Sequence, residues 1–299
     1  MRSIHLWVLC LTLLLAPGCG QEPPAASGSG EPSGTVSQAE PSQSAAYQPE
    51  ASQPGGAQST SGLESASGLE SDSDQGSAAE QASKPEPRVV VLDAGHQGKA
   101  NRDKEPVGPG ASETKAKVSS GTQGRFTGVP EYQVNLEVTL QLRDELESRG
   151  YEVILTRESN DVDISNAQRA ALANEAQAGA FVRIHCNGSE DPSVHGAFTI
   201  CPTPDNPYPV REIYRECRSL ADEVLDGLVE ATGAQKRKVW ETDTMSGLNW
   251  CEVPSIIVEM GYMTNREEDN ALASPEYQAK LVQGIANGID RFFALQESE

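Results

Sequence analysis

Arg88-Val89-Val90-Val91-Leu92-Asp93-Ala94-Gly95-His96-Gln97-Gly98 decides how this chain is read. Its first five residues form a short β-branched apolar run, the mark of a strand buried on both faces. The run then breaks into a polar turn that carries a histidine. Two later stretches repeat that change of character. Ala180 to His185 leads into Cys186-Asn187-Gly188, and Pro254 to Met260, which contains Glu259, leads into Gly261-Tyr262. Between them the pattern alternates. Pro130 opens a helix to about Arg149, with Val134, Val138, Leu142 and Leu146 among its apolar residues and Gly150 as its stop. Glu152 to Thr156 reads as a strand, Asn166 to Gln177 as an Ala-rich helix and Gly196 to Cys201 as a strand. Val210 to Thr232 reads as a long helix ended by Gly233, Ser274 to Leu295 as the closing helix, and Gly98 to Val129 as a polar loop. Repeated β-α-β order predicts an α/β fold: a single domain with a mostly parallel twisted sheet flanked by helices on both faces. Ligands of such sheets sit at the carboxyl ends of the strands, so chemistry is expected just after Leu92, Ile184 and Val258.

Outward from this domain, the N-terminus reads as an address. Met1-Arg2 is a short positive start, and Leu6 to Ala16 is an apolar stretch too short to span a bilayer as a mature helix. The ending Leu15-Ala16-Pro17-Gly18-Cys19 resembles a bacterial lipobox, although Ala16 stands where a leucine is usual. Residues 1–19 are therefore expected to be a signal peptide ending in a lipidated Cys19. A diacylglycerol there buries two acyl chains, enough for stable membrane anchoring. Ordinary cleavage nearby, giving a secreted protein, is the alternative. Residues 20–86 change character completely: Ser, Gly, Ala, Gln, Glu and Pro dominate, with nine acids and no Lys or Arg between Gly20 and Ser83. Such a segment buries too little apolar surface to offset the entropy of ordering it, so a disordered tether is expected. Its root-mean-square span as a coil is roughly 45 Å.

The net charge of the chain is −21; with the nine acids of the tether and Arg2 set aside, Lys84 to Glu299 carries −13. An acidic domain of this net charge argues against nucleic acid and against anionic headgroups as partners. Residues 87–299 are long enough for one real hydrophobic core, and a monomer is expected. Four cysteines fall in that domain, Cys186, Cys201, Cys217 and Cys251. An exported protein permits disulfides, but their pairing is not readable from sequence, and lone buried thiols are the competing reading.

The unusual residues gather where the fold rule places chemistry. His96 and His185 stand at two strand ends expected to share one rim, and Glu131 sits in the first turn of the helix after Pro130, against the positive end of its dipole. Two imidazoles, one carboxylate and a fourth open position form a catalytic zinc set. Unlike HExxH, it draws its ligands from three separate elements.

Together with Pro130-Glu131-Tyr132-Gln133-Val134-Asn135-Leu136, Leu155-Thr156-Arg157, Ile184-His185-Cys186-Asn187-Gly188 and Pro254 to Asn265, these residues make the chain resemble the zinc-dependent N-acetylmuramoyl-L-alanine amidases of the type 3 amidase group. The resemblance covers Arg88 to Phe293. It implies a peptidoglycan substrate, Zn²⁺ as cofactor, His96, Glu131 and His185 as metal ligands, and Glu259 as the catalytic carboxylate. Gln97 replaces a residue often Gly, and Cys186 one often Ser or Ala, which bears on fine geometry and redox sensitivity. Asp93, three residues before His96, is a candidate partner for a ligand histidine.

Each assignment has a rival. His195 lies in no ligand motif and reads as structural or substrate-facing. Glu137 lies six residues beyond Glu131, about 240° around the helix, on another face. Glu252 precedes Pro254, at the wrong end of its strand. Arg157 and Arg169 read most simply as structural ion-pair or capping residues, with a grip on peptide carboxylates as the other reading. Trp240 and Trp250 could face a sugar or fill core. Two other functions compete with the amidase: a zinc peptidase acting on stem peptides, and a non-catalytic wall-binding lipoprotein.

Overall fold

A computed structural model of the chain describes residues 88–298; the signal segment with Cys19 and the expected tether lie outside them. The apolar runs form the centre of a six-stranded sheet. Strands β1 (Val89–Ala94), β4 (Glu152–Leu155), β5 (Ala180–Asn187) and β8 (Ser255–Tyr262) are parallel, in the order β4-β1-β5-β8. Beyond β8 the sheet continues with β6 (Phe198–Cys201), antiparallel to β8, and the two-residue β7 (Trp240–Glu241). The mostly parallel α/β architecture read from the sequence is the one found.

Consecutive residues of a strand face opposite sides of a sheet, and β8 shows how the two layers are divided. Ile256 and Val258 join the large buried cluster, whereas Ile257 joins a smaller one with Phe198, Ile200, Leu248 and Tyr262. Helices α1 (Glu131–Ser148), α3 (Tyr214–Thr232) and α6 (Pro275–Gln296) supply the large cluster, α6 packing against both of the others. Helix α2 (Asn166–Glu175) packs against the one-turn α4 (Ser246–Asn249), whose Leu248 covers Ile257. Helices α3 and α6 cross at glycines. A Cβ on Gly288 would lie 2.4 Å from Val224 Cα, and one on Gly227 would lie 2.3 Å from the Gly284 carbonyl oxygen. Gly233 ends α3 in the left-handed conformation, φ 74°, where a side chain is strained.

Four local readings need correction. The expected loop of residues 98–129 contains a hairpin, β2 (Asn101–Pro106) with β3 (Thr114–Val118), forming its own two-stranded sheet. β2 is mostly exposed and β3 mostly half-buried, and neither sequence shows the apolar alternation that marks a strand with one face in a core. A 3-10 turn, Pro209–Ile213, precedes α3 where continuous helix was expected. Between Asp243 and Trp250, where the sequence shows no periodic pattern, lies α4. A short helix, α5 (Arg266–Leu272), stands before α6; Asn265 caps it by accepting hydrogen bonds from the Glu267 and Glu268 amides.

Candidate active site

The turn after β1 carries His96, β5 carries His185, and α1 begins with Glu131, so three elements bring three side chains to one rim of the sheet. Glu131 Oε1 lies 3.1 Å from His96 Nε2 and 3.2 Å from His185 Nδ1. The two imidazoles meet edge to face, with ring centroids 4.7 Å apart. One ligand atom from each residue lies within 4.8 Å of the others, so the group could hold a metal ion. A tetrahedral ion with bonds of about 2.0–2.1 Å keeps its ligand atoms roughly 3.3 Å apart, close to the two edges observed here.

The surroundings hold these atoms in ligand form. His96 Nδ1 lies 3.0 Å from the Ser119 carbonyl oxygen, which can only accept, so Nδ1 donates there and Nε2 is the nitrogen turned toward Glu131. Burial draws the His185 pKa down to about 4 against the pull of Glu131, so the imidazole is neutral near pH 7. Its Nε2 is buried and has no hydrogen-bond partner. Glu131 is 2 % exposed. Burial opposes its charge, yet His96 and His185 hold its carboxyl well below the usual range. Its oxygens also accept from the Thr122 amide at 2.7 Å, the Cys186 amide at 3.1 Å and Asn135 Nδ2 at 3.2 Å. Asn135 was not assigned a role from sequence. The available signal was a polar residue four positions after Glu131, hence on the same helical face.

His96 has φ 61°, a left-handed conformation that costs a non-glycine residue energy and persists where surrounding contacts determine it. Two buried arginines supply those contacts. Arg157 donates to the Ala94, Gly95 and Tyr132 carbonyl oxygens, and Arg169 to those of Ala94 and His96. Arg169 is in turn paired with Asp93 at 2.6 Å, as is Arg183 at 2.8 Å. Thr156 donates to the same carboxylate, and burial is outweighed, so the Asp93 carboxyl stays far below its ordinary pKa. This corrects the expected role of Asp93. Its oxygens are occupied by guanidinium and hydroxyl groups, and the partner of His96 is Ser119. It also resolves the arginines: both are buried and hold backbone, out of reach of a peptide carboxylate. Gly95 completes the turn, since a Cβ there would lie 2.3 Å from the His185 ring.

Glu259 is opposite His185 in the β5–β8 register and is 3 % exposed. Burial, reinforced by the charge of Glu131, pushes its carboxyl well above the ordinary range. Its Oε2 has no hydrogen-bond partner within the protein. A buried carboxyl that keeps a free oxygen beside a metal-capable cluster suits proton transfer.

The rivals lie elsewhere. Glu137 is bonded to Gln133 and Gln278 along α1 and α6, and Glu252 is exposed. Trp240 packs on the smaller apolar cluster; Trp250 packs on the larger one and donates to the Pro106 carbonyl oxygen. His195 is exposed on the loop after β5. Gln97 is buried and ties the His96 turn to residues 163–164, accepting from Ile164 and Arg169. All four cysteines of the domain are free and buried, and burial raises the Cys186 thiol well above its usual pKa. That makes the thiol unreactive, contrary to the redox sensitivity inferred from its position.

A family model described as N-acetylmuramoyl-L-alanine amidase matches residues 90–291. The Bacillus subtilis protein YqiI is 30% identical over 209 residues, covering 70% of this chain and 86% of its own. N-acetylmuramoyl-L-alanine amidase Rv3717 of Mycobacterium tuberculosis is 28% identical over 214 residues, covering 70% and 87%. Among solved structures, the N-acetylmuramyl-L-alanine amidase Ami1 of Mycobacterium smegmatis superimposes with a TM-score of 0.63 at 28% identity, covering 69% of this chain and 97% of that one.

Proposed function

Because the chain belongs to the N-acetylmuramoyl-L-alanine amidase family, we propose that His96, Glu131 and His185 hold a zinc ion and that Glu259 moves the proton during hydrolysis. The enzyme is a peptidoglycan hydrolase that opens the amide between N-acetylmuramic acid and the L-alanine of the stem peptide. The observation carrying the zinc reading is the spacing of the three ligand atoms, with His96 Nε2 3.1 Å and His185 Nδ1 3.2 Å from Glu131 Oε1.

Zinc held by these three residues would supply Lewis-acid chemistry, lowering the pKa of a bound water toward neutrality and polarising a carbonyl. The remaining work falls to the chain. Ser119, Asn135, Thr122 and the two arginines fix the ligand side chains before substrate arrives. Glu259 takes the proton of the attacking water on Oε2 and delivers it to the departing alanine nitrogen, because an amine leaves poorly as an anion. The low exposure of Glu131 and Glu259 keeps bulk water from competing for those protons.

Product analysis tests this reading. Incubation with peptidoglycan is expected to release intact stem peptides with a free alanine amine and to leave lactyl carboxylates on the glycan. Chelation should stop the release and zinc restore it. Peptides cut internally and still attached to glycan would assign a peptidase, and an intact wall with zinc stoichiometrically bound would assign a binding protein.

Among the described residues no helix is long and apolar enough to cross a membrane. We assign membrane attachment to a diacylglycerol on Cys19, with residues 20–86 as the tether to the catalytic domain 87–299. Cys19→Ala is expected to move the protein from the membrane fraction to the soluble extracytoplasmic fraction. Unchanged fractionation would sink the anchor.

A further inference from the structure

The turn at residues 124–128 is built to hold one aromatic ring in the open. The Phe126 and Thr127 amides donate to Asp269 Oδ2 at 2.7 and 2.9 Å, and Thr127 Oγ1 donates to Asp269 Oδ1 at 2.6 Å. Asp269 is itself fully buried. Gly124 and Val129 close the turn with a backbone bond of 2.8 Å, and the Arg125 amide donates to the Met263 carbonyl oxygen. Three residues before Asp269 on α5, and so on the same face, Arg266 lays its guanidinium over the Phe126 ring at 4.3 Å. Despite that cover Phe126 remains 41 % exposed; it and Leu295 are the exposed large apolar side chains among the described residues. A buried carboxylate and a stacked cation hold in place an aromatic that burial alone would not keep there.

Phe126 forms part of the wall of a pocket of about 550 Å³, which also includes His195, Gln235, Glu267, Glu268 and Tyr277. Its position relative to the catalytic centre follows from the chain path. Gly121 and Thr122, which touch Glu131, lead to Phe126; β5 with His185 leads to His195; β8 with Glu259 leads to Arg266. Across that path the Ser189 amide donates to Thr264 Oγ1 at 2.9 Å. The pocket is therefore walled by the loop that touches Glu131 and by the segments that follow β5 and β8.

We infer that this pocket is a subsite for the neutral N-acetylated sugars of the glycan strand, with Phe126 as the stacking platform. The inference rests on the amidase reading, which requires glycan on one side of the scissile amide and peptide on the other. An aromatic face bordered by hydrogen-bonding groups is the chemistry that grips a pyranose, whose axial C–H groups meet the ring while its hydroxyls meet polar neighbours. Gln235 offers an amide and Tyr277 a phenol. His195 Nδ1 donates to the Ser193 carbonyl oxygen, so Nε2 is the ring nitrogen outside that bond. An anionic stem peptide fits less well. Two carboxylates, Glu267 and Glu268, line the pocket, and Arg266, its lining cation, is stacked on the Phe126 ring.

The test uses the full chain and a tetramer of N-acetylglucosamine, which has no scissile amide and no lactyl group. Calorimetry with zinc-free protein should detect binding, and Phe126→Ala should weaken it about tenfold, as loss of an aromatic anchor does. Phe126→Trp should keep it, and Leu295→Ala, at the other exposed apolar side chain, should leave it unchanged. On multi-sugar substrate Phe126→Ala should raise KM more than it lowers kcat. No tetramer binding, or equal binding by wild type and Phe126→Ala, overturns the subsite. So does an alanine-led stem peptide that binds with the same dependence on Phe126. The outcomes separate the two readings. Amide cleavage without Phe126 dependence leaves the amidase standing and removes the subsite, whereas Phe126-dependent tetramer binding without cleavage does the reverse.

Discussion

Glu259→Gln is expected to lower turnover of peptidoglycan by about 10²- to 10⁴-fold, the usual contribution of a positioned proton carrier. The substitution keeps the shape of the side chain and removes its ability to take a proton at Oε2, the atom with no partner in the folded chain. Zinc uptake should survive, because Glu259 is not among the three clustered ligand atoms. Stability should not fall either. A buried carboxyl whose pKa is pushed up by desolvation is uncomfortable when charged, and an amide at 3 % exposure relieves that. Steady-state release of stem peptides, metal content by mass spectrometry and thermal unfolding check the three statements together. A variant that retains more than roughly a tenth of wild-type turnover would remove Glu259 from the proton path.

Asp93→Asn carries the largest expected cost in stability, about 3–5 kcal/mol, because removing one partner strands the other charges in the interior. Arg169 and Arg183 are 1 % and 3 % exposed, and Asp93 is the carboxylate paired with both. The effect should reach the metal site as well, since Arg169 holds the carbonyl oxygens of Ala94 and His96. Urea unfolding at neutral pH measures the first consequence, and weaker zinc binding by competition with a chelator measures the second. The pH dependence follows from the depressed pKa of Asp93 in the folded state. A carboxyl whose folded value lies below its unfolded value of about 3.9 contributes stability that is present above pH 4. That contribution is lost only as pH falls through the folded value. Wild type and variant should therefore differ by a constant amount between about pH 5 and 8 and converge only in strong acid. A cost below about 1 kcal/mol would mean that the arginines find other partners.

Several parts of the molecule were legible from the chain alone for a definite reason. Strands β1, β5 and β8 are buried on both faces, so each is a continuous apolar run, and the placement of ligands at the carboxyl ends of parallel strands points from those runs to His96, His185 and Glu259. Glu131 was legible because a carboxylate in the first turn of a helix is favoured electrostatically and its rivals fall on other faces. The β2–β3 hairpin was not legible. Asn101–Pro106 is mostly exposed and Thr114–Val118 mostly half-buried, and a strand with so little buried surface leaves no apolar alternation to read. Helix α5 was passed over because seven residues give too short a periodic signal, although Asn265 ahead of Glu267, Glu268 and Asp269 is a capping pattern.

By itself the sequence determined the α/β class through local pattern and strand polarity, and the family resemblance of its motifs pointed to His96, Glu131, His185 and Glu259. Only the tertiary structure decided what those residues rest on. Which arginine meets Asp93, which carbonyl fixes the tautomer of His96, and whether the thiols are free all depend on contacts between residues tens of positions apart. Charge and hydrogen-bonding capacity are written in the chain, but partners are chosen by packing, where burial makes an unpaired polar group too costly to leave.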